Sequence, residues 1–175
     1  MSKTSNAIRK TAYLGSFLAL AMVLSYLESL IPLPIAVPGI KLGLANGCVI
    51  ILLYVFGPFE ACSVNILRVI LTSLLFTNLY AMFYSLAGAV LSLLVMILFS
   101  KSKHFSPIGV GIIGGLFHNI GQCAVAFLVT KTDAILGFLP ILMAAGMICG
   151  CLTGILGKIL YPKLKKIYSM KEIRG

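Results

Sequence analysis

Residues 11–31 read TAYLGSFLALAMVLSYLESLI, and Glu28 is the single charge in the run. At about 1.5 Å per residue, a helix over this stretch crosses a hydrocarbon core of about 30 Å. It is too long for the apolar core of a signal peptide, and no A-x-A site follows it. The expectation is an uncleaved first membrane helix. Reading outward, five more apolar runs follow, over 41–56, 60–76, 79–99, 107–129 and 134–160. Pro32, Pro34 and Pro38 forbid a helix between the first two runs. Gly57-Pro58, Thr77-Asn78, the 100–106 loop and Lys131-Thr132-Asp133 separate the others. Pro107 suits a first helical turn, and Pro140 predicts a kink near the start of the sixth run.

Composition agrees. The 175 residues are 60% hydrophobic and 10% charged, with mean hydropathy +1.09. A soluble domain is about 45–50% apolar and about 25% charged. Disorder, a disulfide-stapled secreted domain and most soluble enzyme folds are thereby excluded. The expected fold is an all-α integral membrane bundle of six transmembrane helices, occupying residues 1–175 as one domain.

The net charge of +10 comes from 14 Lys+Arg against 4 Asp+Glu. Lys3, Arg9 and Lys10, then Lys101 and Lys103, then Lys158 and the tail beyond it fall on one side of a six-span topology. Lys41 and Lys131 fall on the other. Positively charged loops stay in the cytoplasm, so both termini are expected there, in a cell membrane. The cations then set orientation and meet anionic lipid; nucleic acid is not an expected partner.

Four-residue spacings of small side chains recur: Gly146, Gly150 and Gly154; Gly111 and Gly115; Ala81, Ser85 and Ala89; Gly15 and Ala19, beside Ala12 and Ser16. Such stripes let helices approach closely in lipid. Most are expected to pack within the bundle. The helix-one stripe is the best candidate for receiving a partner.

Charged and amide side chains inside a span are costly and face the bundle interior or a cavity. Asn65, Arg68 and Thr72 share one helix face, and Arg68 either pairs with Glu28 or Glu60 or faces a ligand. Lys41 and Asn46 open the second run. The densest cluster is His118, Asn119 and Gln122, beside Gly111, Gly114 and Gly115. Cations and amide donors suit a carboxylate or phosphate. The expected substrate-binding set is Lys41, Asn46, Arg68, Asn78, Tyr84, His118, Asn119 and Gln122.

Chemistry of other kinds is not indicated. Gly157-Lys158 lacks the rest of a Walker A loop, and no hydrolase, zinc-protease or dinucleotide fingerprint occurs. The four acids are dispersed, so no cluster is expected to hold Mg²⁺ and a diphosphate. A single His within a span does not suit haem, and the five Cys form no C-x-x-C. Neither an enzyme, a metal nor a cofactor is expected.

The stretch 38–46 (PGIKLGLAN), Leu67-Arg68, residues 84–88 (YSLAG) and residues 114–122 (GGLFHNIGQ) together resemble the Gx transporter family. That family also carries the name heptaprenyl diphosphate synthase component I, and is similar to the S components of energy-coupling factor transporters. The resemblance implies a membrane subunit that captures a small cofactor precursor or vitamin-like solute from outside. It implies that the 32–38 loop gates the site. It also implies that Ala12, Gly15, Ser16 and Ala19 dock on an energy-coupling transmembrane protein driven by separate ATPases. Those four depart from the Ala-x-x-x-Ala pattern. The alternative is a non-catalytic membrane subunit linked to isoprenoid or quinone biosynthesis, or to quinone-linked electron transfer.

Overall fold

The computed structural model describes residues 3–30, 41–131 and 133–173. The expected 32–38 gate lies outside them. Six helices follow in order: α1 (Lys3–Ser29), α2 (Asn46–Val55), α3 (Pro58–Phe76), α4 (Leu79–Ser100), α5 (Pro107–Thr130) and α6 (Ala134–Ile173). No strand occurs among the described residues. All helices but α2 are long and apolar enough to cross a membrane. The chain is an all-α, multi-pass membrane protein.

Local chemistry sets the helix ends. Ser106 accepts a hydrogen bond from Gly109 N–H and Pro107 opens α5. Asn78 caps α4 by accepting from Ala81 N–H at 2.9 Å. Gly57 adopts φ 111° before Pro58 opens α3. The helix α1 begins eight residues ahead of the apolar run, since its basic start is helical too. The helix α6 runs through Pro140 and Pro162 into the basic tail.

The second run differs most from a full span. Its helix holds 10 residues, about 15 Å of a roughly 30 Å core. Residues 41–45 are non-helical, yet Lys41, Gly43 and Ala45 are buried. Gly43 has φ +94°, a left-handed backbone that resists a side chain. This turn halts the helix and drives the chain into the bundle.

Packing is tightest between α5 and α6. A Cβ on Gly115 would stand 2.0 Å from the Gly146 carbonyl oxygen, and one on Gly111 would stand 2.3 Å from that of Gly150. The two backbones touch, as small-residue stripes allow. The apolar core lies toward the other end of α2, where Ile50 and Leu52 meet Val64, Leu93, Met96 and Val110. At that same end Lys10 pairs with Glu60, and Tyr13, Phe56 and Tyr168 converge.

Candidate functional site

Backbone polar groups inside a bilayer must be satisfied by the protein itself. The break at 41–45 meets this demand with side chains. Glu28 of α1 accepts hydrogen bonds from Gly43 N–H and from Leu44 N–H, the latter at 2.9 Å. Gln122 of α5 accepts from Lys41 N–H at 2.9 Å. The first N–H groups of α2 then turn back onto the break: Asn46 to Gly43 O at 3.0 Å and Gly47 to Leu44 O at 3.1 Å.

The Lys41 bond fixes a proton two residues away. An N–H only donates, so Gln122 presents its oxygen to Lys41 and its amide nitrogen to His118 Nε2, 2.9 Å distant. His118 Nε2 therefore accepts, and the neutral ring carries its proton on Nδ1. Gly88 of α4 stands against this pair. A Cβ there would lie 2.6 Å from the His118 carbonyl oxygen and 2.7 Å from Gln122 Cγ.

Arg68 lies on the opposite wall and is 3% exposed. Its guanidinium donates to Ser25 Oγ at 2.7 Å and to Asn65 Oδ1 at 2.8 Å, while Nε has no partner. Asn65 in turn donates to the Ala89 carbonyl at 3.1 Å, and Thr72 to the Arg68 carbonyl at 2.6 Å. Of the two acids considered for Arg68, Glu60 is taken by Lys10. Glu28 attracts Arg68 and Lys41 across the cluster without pairing directly with either. Its second oxygen, Oε2, is buried and unpartnered, as is Asn46 Oδ1. Asn46 Nδ2 lies 3.5 Å from Ser92 Oγ.

The structure thus gathers Lys41, Asn46, Arg68, His118 and Gln122 around one break. Three expected residues go elsewhere. Asn119 donates to the Leu142 carbonyl at 2.6 Å and so turns toward α6. Tyr84 packs among Cys123, Ala126, Ile135 and Leu142. Asn78 is exposed and serves as the α4 cap. Conversely, Ser25, Glu28 and Ser92 belong to the cluster and were not among the expected set. The signal for the first two was present: Ser25 and Glu28 are three residues apart, on one face of an otherwise apolar helix.

Chemically, the cluster offers two fixed cations, one carboxylate held by backbone N–H groups, and free acceptor and donor atoms, all shielded from water. Among the described residues, no group of three or more His, Cys, Asp or Glu is arranged to hold a metal ion.

The family model described as heptaprenyl diphosphate synthase component I matches residues 17–160. The chain belongs to this family. The match runs from α1 into α6 and takes in every residue of the cluster. No curated protein and no solved structure matches the chain.

Proposed function

We propose that this protein is the solute-capturing membrane subunit of a transport assembly, comparable to the S component of an energy-coupling factor transporter. It takes a small polar or anionic cofactor precursor from outside the cell and performs no chemistry on it. A separate coupling membrane protein and ATPases supply the energy. Both termini face the cytoplasm.

One observation carries this reading: Lys41 and Arg68 are held inside the bundle beside the non-helical entry to a short helix, without a direct ion pair. Isolated charges at that depth are costly, and non-helical backbone at membrane depth is tolerated where it is buried in protein or lines a cavity. The helix-one stripe supports it. Ala12, Gly15, Ser16 and Ala19 are all exposed, and a Cβ on Gly15 meets nothing within 4 Å. Ala19 also borders an apolar hollow of about 330 Å³ with Met22, Val23, Tyr26 and Phe76. Among the described residues no helix packs upon this stripe, which leaves it available to a partner.

The test is gentle purification of the full chain from its native membrane. Coupling protein and ATPases are expected to copurify, with a water-soluble ligand detectable by mass spectrometry. Arg68→Gln should abolish the ligand and keep the partners. Gly15→Leu with Ala19→Leu should do the reverse. A second reading, favoured by the family description, is a non-catalytic subunit tied to isoprenoid or quinone metabolism. Recovery of a quinone or a prenyl synthase subunit, with no ATPase, would replace the first reading by the second.

A further inference from the structure

Away from the polar cluster, an apolar groove of about 450 Å³ runs between α1 and α6. Leu20 and Leu24 form one bank, Leu156 and Leu160 the other, and Cys48 and Ile51 of the short helix α2 form the floor. Its volume lies within the roughly 300–1,000 Å³ of small-molecule sites. The groove opens sideways: Leu20 is 49% exposed and Leu156 is 53%. In a bilayer these surfaces face hydrocarbon.

The lower end of the groove changes character. Arg9 and Tyr13 lie on the same face of α1 as Leu20, three and two turns below it. Arg9 sits 5.2 Å from the centre of the Tyr168 ring, and Tyr13 5.9 Å, so α1 and α6 close together there. Tyr54 lies one turn past Ile51 on α2, and its ring centre stands 5.1 Å from that of Tyr161. Its hydroxyl is buried and has no hydrogen-bond partner. Lys163, exposed, stands one turn beyond Leu160 on the groove face of α6. Aromatic rings with Arg and Lys mark the depth at which headgroups lie. The slot is therefore apolar along its length, with tyrosines and the exposed Lys163 beyond its lower end.

We propose that this groove binds one acyl chain of an anionic phospholipid from the leaflet at the basic end of the bundle. The chain lies between α1 and α6 on the α2 floor. The phosphate meets the exposed Lys163, and the Tyr54 hydroxyl, unpartnered within the protein, donates to an ester oxygen. The short α2 leaves room for the chain, and Lys163 selects its head. None of the cluster's charged groups lines this groove, and Leu44 is the one residue of the 41–45 turn that borders it.

The full chain, reconstituted in vesicles of equal phosphatidylglycerol and phosphatidylcholine and extracted gently, tests this by native mass spectrometry. One phosphatidylglycerol per chain is expected to remain bound. Leu156→Trp, which fills the groove from an exposed position, should reduce retention roughly tenfold. Lys163→Gln should narrow the preference for phosphatidylglycerol while leaving chain binding in place. Arg68→Gln, in the solute site, should leave the lipid untouched, so the two sites fail separately. Equal retention by Leu156→Trp would overturn the proposal. So would equal retention of phosphatidylcholine by the unmodified chain, a polyprenyl phosphate recovered instead, or a polypeptide cross-linking from Ile155.

Discussion

The seam between α5 and α6 and the corner where α1 meets the break at 41–45 lie in the same bundle, yet they are built on opposite principles. Along the seam, side chains are removed. Gly111 and Gly115 face Gly150 and Gly146 so closely that backbones touch, and every backbone hydrogen bond there is helical. At the corner, side chains do the backbone's work. Glu28 and Gln122 accept the N–H groups that a helix would have satisfied for itself. The first arrangement depends on shape and tolerates nothing larger than hydrogen. The second depends on chemistry and leaves polar atoms free for something else. A membrane protein can hold a rigid frame and a buried polar cluster in one small bundle by separating these two tasks.

The sharpest way to break the contrast is at the seam. Gly115→Leu would drive a side chain into the Gly146 carbonyl, which neither backbone can avoid without parting the helices. Loss of the folded monomer is expected, with destabilisation above about 4 kcal/mol, read as lost monodispersity in detergent. A folded, monodisperse Gly115→Leu protein would show that the seam is not shape-limited. The corner should respond by chemistry instead. Glu28→Ala strands the Gly43 and Leu44 N–H groups, at about 1–3 kcal/mol for each buried group. Glu28→Gln keeps an acceptor and should recover most of that loss in thermal unfolding. Equal losses in the two variants would mean that the carboxylate acts through its charge and not as an acceptor. The smallest effect belongs to neither region. Asn78→Ala removes the α4 cap, about 0.5–2 kcal/mol, and should leave retained ligand unchanged, because Asn78 lies outside the cluster.

The two regions were also unequally legible in the sequence. Glycines at four-residue spacing on the fifth and sixth runs announce a close helix contact by themselves. His118 and Gln122, one turn apart, likewise declare a shared face, and the structure joins them. The corner hid in an apolar run. Leu42, Gly43, Leu44 and Ala45 read as the start of a helix, because hydropathy does not record a positive φ. The shortness of the run and Gly43 were the available signals. Glu28 was visible as a lone charge. Its role was not, since accepting from a backbone 15 residues away is a tertiary fact. Asn78 and Tyr84 show the converse: their polar atoms suggest a site, while the structure places one at a helix cap and the other among apolar side chains.

The bond from Lys41 N–H to Gln122 joins residues 81 positions apart. It gives the protein a schedule as well as a shape. During synthesis, α1 and the break emerge first, and Glu28 can satisfy Gly43 and Leu44 at once. Lys41 must wait until α5 has entered the membrane. Contacts of such long sequence separation form late, after loop closure has become possible. The corner is therefore completed only when the fifth helix is in place, and a chain stopped short of it leaves the Lys41 N–H without its partner.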